Sequence, residues 1–172
     1  MTKKRKLLSI ITVVKNDVKS IEKTIKSIIF QKNKEVEYII IDGKSKDGTI
    51  KVINKYKKKV DKILIEKDMG IYHAMNKGIT FSSGKYIGFC NSGDLITKGG
   101  IKIILKNLTD NTDVLFATVK RHYLGRTIIK SGYNLRRLEY NFDFATAHST
   151  GFYIKSEFHK KIGMYDTSFI QL

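Results

Sequence analysis

Between Leu7 and Val14 the chain carries an almost unbroken apolar run, LLSIITVV, rich in β-branched residues. Such a run predicts a strand buried on both faces, as in the middle of a parallel sheet. The spacing then changes. Ile21, Ile25, Ile28 and Ile29 recur at helical intervals and predict one buried helix face, with Asn16 or Asp17 placed to cap it. Val36–Ile41 predicts a second buried strand that ends at Asp42-Gly43. Asp47 stands at the cap position of the next helix, which carries Ile50 and Ile53. Lys62–Glu66 reads as a third strand and Tyr86–Cys90 as a fourth. Gly70–Ile79 reads as a helix with Ile71 and Met75 four apart, and Ile101, Ile104, Leu105 and Leu108 as another amphipathic helix.

This alternation of strand and helix predicts an α/β fold: a mostly parallel central sheet flanked by helices on both faces. From Val114 the pattern changes. Val114–Val119 and Thr127–Lys130 read as strands about a turn near Gly125, and Glu157–Ile162 as a short helix. They suggest a small antiparallel C-terminal extension on a single domain, 1–172, with one half over 1–110 and the other over 111–172. Open parallel sheets bind ligands at the carboxyl ends of their strands. The first strand here ends at Lys15-Asn16-Asp17, the second at Asp42 and the fourth at Asn91-Ser92-Gly93-Asp94. Any one of these residues could be a turn former or a helix cap, and Asp47 fits the cap best. Three polar ends along one edge make a candidate site.

Composition narrows the field. A chain of 172 residues, 41% hydrophobic, can bury a sizeable core. No apolar run approaches the roughly 20 residues of a membrane-spanning helix. The basic start followed by Leu7–Val14 superficially resembles a signal peptide, but no small-residue cleavage site follows. A single cysteine, Cys90, excludes an internal disulfide framework and points to a reducing, cytoplasmic compartment; in a buried strand it reads as inert. The net charge of +17 suits anionic partners such as a nucleotide, an acidic membrane face or nucleic acid. A lysine-rich solvated surface accounts for it equally, since only 3-KKRK-6 and 57-KKK-59 form runs. No GxGxxG follows the first strand. Gly78–Lys85 has the wrong spacing for a phosphate loop, with Tyr86 where Ser or Thr should stand. The histidines and the cysteine lack zinc spacing, and no serine sits in a nucleophile elbow.

The segments 9-SIITVVKND-17, 37-EYIIIDGKSKDGT-49, 66-EKDMGIYHAMNKGI-79, 84-GKYIGFCNSGD-94 and 148-HSTGFYIKSEFHKKIGMYD-166, in this order, cover most of the chain. Together they resemble the family 2 glycosyltransferases, most closely bacterial members that build surface polysaccharides. The resemblance implies the GT-A fold, a Rossmann-like sheet in which 1–110 is the nucleotide-sugar-binding half and 111–172 a partial acceptor-side half. It places Thr12, Val14 and Asn16 along the nucleotide pocket. It makes Asp42 the acceptor for the base, usually uracil, a role that suits a carboxylate because it accepts without donating. It brings Asp68 to the donor, although a helix cap for Gly70–Ile79 is an alternative use. Tyr72 would stack near the donor or pack in the core. The Asn91–Asp94 end corresponds to the DxD motif, with Asp94 as metal ligand and Asn91 offering a neutral oxygen. Asn91 and Gly93 stand where carboxylates are common. The implied cofactor is a divalent ion, Mg²⁺ or Mn²⁺, bridging the donor phosphates.

Relatives are commonly inverting enzymes with an aspartate as general base. The resemblance places that base after the Gly163–Phe169 segment, beyond Leu172, so the chain reads as C-terminally short. Inside the chain the candidates are His148, Asp166 and Asp143. His148 lies where the family places a histidine near acceptor and diphosphate, and its titration range suits that role; a purely structural histidine is the alternative. The implied function is transfer of a sugar from a nucleotide-sugar donor, a UDP-sugar, to a glycan or lipid-linked acceptor in surface polysaccharide synthesis. That acceptor would place the chain at the inner face of the cell membrane, with possible peripheral contact. A catalytically incomplete nucleotide-sugar-binding module is the alternative. A nucleic-acid partner is not expected, because no RNP-type strand, zinc finger or recognition helix accompanies the charge.

Overall fold

A computed structural model of the chain describes residues 5–123, 126–130 and 149–168. His148, Asp143, Gly125 and Phe169 lie outside the described residues. The strands are β1 (Leu8–Val14), β2 (Val36–Asp42), β3 (Lys62–Ile65), β4 (Tyr86–Phe89), β5 (Val114–Phe116), β6 (Val119–Tyr123), β7 (Arg126–Lys130) and β8 (Phe152–Lys155). The helices are α1 (Ile21–Ile29), α2 (Thr49–Lys55), α3 (Ile71–Phe81), α4 (Gly100–Asn107) and α5 (Ser156–Ile162). None of the described helices is long and apolar enough to cross a membrane.

The main sheet has the order β3-β2-β1-β4-β8-β5. Its first four strands are parallel, and β8 and β5 join antiparallel. The β6–β7 hairpin stands apart. Every residue of β1 and β2 is buried, because helices cover both faces of the sheet. Side chains alternate between those faces. Ile10 and Val14 meet the isoleucines of α1 together with Ile53, Ile101 and Ile104. Ile11 and Val13 meet Ala74, Met75 and Ile79 of α3. Gly78 lies on that buried face of α3, where a Cβ would meet the Ile11 side chain, so helix and sheet touch closely there.

The strand order carries a functional consequence. From β1 the chain builds outward to β2 and β3, then returns to place β4 on the other side of β1. The reversal opens a crevice at the carboxyl ends of β1 and β4, the usual ligand position in such sheets. The expected antiparallel extension is present, but β8 was not anticipated from the sequence. Phe152–Lys155 is short, and its pairing with β4 is purely tertiary.

Candidate functional site

The loop after β1 crosses the loop after β2, and hydrogen bonds stitch them together. Asn16, at φ 51°, donates its N–H to Ser45 Oγ at 2.8 Å and accepts the Lys46 N–H on Oδ1 at 2.8 Å. The Asp42 carboxylate accepts the Ser45 N–H at 2.7 Å and the Ser45 hydroxyl at 2.8 Å, one on each oxygen. Asp42 is 0% exposed. The carboxylate turns back into its own loop and shapes it. Thr12 is likewise 0% exposed. Its hydroxyl donates to the Cys90 carbonyl at 2.7 Å and lies 3.1 Å from the Tyr38 hydroxyl. The Val14 side chain belongs to the core, and its carbonyl accepts the Gly43 N–H. The side chains of Thr12 and Val14 thus pack into the end of β1.

The carboxylate that does stand at this end is Asp68. Its side chain is 5% exposed, and it lies 3.5 Å from Lys15 Nζ and 3.3 Å from the Gly70 N–H, both long contacts. It lies directly over Gly43, in the space that any Cβ at that position would claim. The Gly70 bond is a local Asx-type contact, and Gly70 itself occupies the N-cap of α3 with no side-chain cap bond. At the first turn of that helix, Tyr72 stacks on Tyr165 with centroids 5.7 Å apart, and Tyr165 meets Phe89 edge-on. Burial pushes the Tyr165 hydroxyl up from its ordinary range.

Beyond β4 the chain makes a tight turn, Asn91–Asp94, closed by the Asp94 N–H on the Asn91 carbonyl at 2.9 Å. Gly93 takes φ 95°, the left-handed region that glycine supplies without strain. Thr24 of α1 braces the turn, accepting the Gly93 N–H and donating to the Asp94 carbonyl. Asp17 serves both loops: it accepts the Ser20 N–H before α1 and the Ser92 hydroxyl at 2.7 Å. Asp47, expected as a cap, accepts from Thr49 and from the Val18 N–H. The Thr49 hydroxyl contributes most to holding its carboxyl below the usual range.

The turn presents two side-chain oxygens of interest. Asn91 donates its amide to Ser149 Oγ at 3.0 Å, and its Oδ1 is buried with no partner. Asp94 accepts the Thr150 hydroxyl on Oδ2. No group of three or more His, Cys, Asp or Glu is gathered for a metal among the described residues. An amide oxygen with no donor and one carboxylate are hard oxygen ligands of the kind that Mg²⁺ or Mn²⁺ takes. Cys90, just before the turn, is buried, and burial pushes its thiol far up.

The structure thus brings together the ends of β1, β2 and β4 with Asn16, Asp68, Asn91 and Asp94 among them. Sequence reasoning met Lys15 in a polar strand end, and Ser45, Ser149 and Thr150 inside the family segments, but gave none of the four a role. Ser45 follows Asp42 by three residues and had a local signal, an Asx-type turn. Ser149 and Thr150 had no local signal of their own.

Solved structures share this architecture. Staphylococcus aureus TarS in complex with UDP superposes with a TM-score of 0.74 at 19% identity, over 94% of this chain and 51% of that one. A mannosyltransferase from Pyrobaculum calidifontis in complex with GDP-Man and Mn²⁺ superposes with a TM-score of 0.72 at 18% identity, over 95% and 48%. The fold is that of the GT-A glycosyltransferases. Among curated proteins, a cholesterol galactosyltransferase of Borreliella burgdorferi is 26% identical over 120 residues, 68% of this chain and 34% of that protein. The match covers between 14% and 38% of the length of the curated relatives compared. The sequence pattern of glycosyl transferase family 2 matches residues 9–169, nearly the whole chain, and the chain belongs to that family.

Proposed function

We propose that the chain forms the donor-binding part of a glycosyltransferase. It moves a sugar from a nucleotide-sugar donor, a UDP-sugar, to a glycan or lipid-linked acceptor in bacterial surface polysaccharide synthesis. The observation that carries this reading is a pair of polar features at the carboxyl end of the parallel strands. One is the weakly satisfied Asp68 carboxylate over Gly43, and the other is the Asn91–Asp94 turn.

Asp68 takes the role first expected of Asp42 and accepts an N–H of the base. Asn16 frames the base side of the pocket through its bonds to the β2–α2 loop. Asn91 and Asp94 face the diphosphate and would hold Mg²⁺ or Mn²⁺ between them and the phosphates. The ion, when bound, neutralises charge on the departing diphosphate. In the inverting reaction the acceptor hydroxyl oxygen forms a bond to the anomeric carbon. The bond from that carbon to the diphosphate oxygen breaks, and the hydroxyl proton passes to a base. Within the chain His148 is the residue proposed beside acceptor and diphosphate for that proton. The acceptor would be met at the cytoplasmic face of the membrane.

Calorimetric titration with UDP, with and without Mn²⁺, tests this on the purified chain. Metal-dependent binding is expected, weakened in Asp68→Asn and stripped of its metal dependence in Asp94→Ala. Absence of UDP binding, or binding indifferent to both substitutions, overturns the reading. Release of free sugar from UDP-sugars then distinguishes a catalytic chain from a binding module.

A further inference from the structure

We propose that Ser149 and Thr150 are positioning residues for the two ligand oxygens of the Asn91–Asp94 turn. The proposal deepens the donor-site reading above and rests on it. β8 runs antiparallel to β4, with Tyr86 opposite Lys155 and Gly88 opposite Tyr153. The chain that enters β8 must therefore lie beside the chain that leaves β4. That entry is a single 3₁₀ turn, Ser149–Gly151, held by hydrogen bonds on two sides. The Gly151 carbonyl accepts the Ala117 N–H at 2.7 Å, and the Tyr153 hydroxyl donates to the Thr150 carbonyl at 3.2 Å.

From this fixed turn two neighbouring hydroxyls reach the two side chains that matter. Thr150 Oγ1 donates to Asp94 Oδ2, and Ser149 Oγ accepts from the Asn91 amide. The second contact commits the nitrogen side of Asn91, so that its Oδ1 is the atom left buried and unpartnered. An unpaired buried acceptor is costly unless something binds it. Both positioning groups are neutral hydroxyls, which orient an oxygen without changing its charge. Among the described residues Asp94 is the carboxylate of this turn, so its orientation weighs heavily on any ion bound there.

The test measures Mn²⁺ affinity at saturating UDP, UDP affinity without metal, and thermal stability, for wild type, Thr150→Val, Thr150→Ser and Ser149→Ala. Removing a hydroxyl that orients a metal ligand is expected to weaken Mn²⁺ binding about tenfold or more in Thr150→Val. UDP affinity without metal should hold, and Thr150→Ser should restore the metal response. Ser149→Ala should weaken Mn²⁺ binding in the same sense, which keeps the test decisive should Thr150→Val fold poorly. A metal-responsive wild type with equally responsive Thr150→Val and Ser149→Ala overturns the positioning role alone. So does an equal loss of metal-free UDP affinity, which marks a structural role. A wild type whose UDP binding ignores Mn²⁺ overturns the donor-site reading, and this proposal with it.

Discussion

The Asp68 carboxylate lies over the α-carbon of Gly43, in the volume that a side chain at position 43 would occupy. The two residues come from the ends of neighbouring parallel strands, β2 and β3, and only a glycine lets the carboxylate settle there. The Gly43→Ala variant should push Asp68 out of place. UDP affinity is expected to fall by about tenfold, the scale of one lost charge-assisted hydrogen bond. Backbone strain is not the cause, since Gly43 is not among the positive-φ residues. Calorimetry on Gly43→Ala beside Asp68→Asn checks this, and the two losses should not add, because they remove the same contact.

Asp42 should behave differently from Asp68. Its oxygens are taken by Ser45, and the same Ser45 hydroxyl receives the Asn16 N–H. Ser45→Ala removes both hydroxyl bonds while leaving the backbone contact, and is expected to destabilise the chain by about 1–3 kcal/mol. Denaturant unfolding of Ser45→Ala and Asp68→Asn separates the two groups: the first should lose stability, and the second should lose affinity with little change in stability.

Asn76 and Tyr165 exchange two bonds across the fold. The Asn76 amide donates to the Tyr165 carbonyl at 2.8 Å, and its oxygen accepts the Tyr165 N–H at 2.9 Å. This clamp fixes the segment after α5 against α3. Asn76→Ala leaves both Tyr165 groups without their partner and should cost about 2 kcal/mol, a Tm decrease of roughly 4–8 °C. Asn76→Asp, which keeps an acceptor and loses the donor, should fall between. A thermal melt of the three proteins checks the order.

Glu37 sets a pH dependence at the opposite end of the sheet. Burial alone pushes its carboxyl up. The Lys62 ammonium at 2.8 Å and the hydrogen bonds from Ser9 and Ser83 together outweigh that and hold it at about 2, below its ordinary 4.5. A lowered carboxyl favours folding above its unfolded value. The contribution should be complete above about pH 4.5 and be lost as pH falls towards 2, at most on the order of 3 kcal/mol. Melting temperatures across that window should fall more steeply for wild type than for Glu37→Gln.

Sequence alone determined the layers of this protein. Leu8–Val14 and Val36–Asp42 are apolar on both faces because both faces are covered, and the isoleucines of α1 and α4 recur at helical spacing because one face of each is buried. Period and burial are local consequences of the same packing, so they are written along the chain. The polar strand ends were legible for the same reason: the apolar run stops where they begin. What the polar groups do there was decided by the tertiary structure. Asp42 and Asp68 are the same chemical group at two strand ends, yet one is closed off by a serine three residues away and the other lies over a glycine on the next strand. The meeting of Thr150 with Asp94 needs the antiparallel docking of β8 on β4. A side chain's direction and its distant partners follow from strand order and register, which no local pattern of residues specifies.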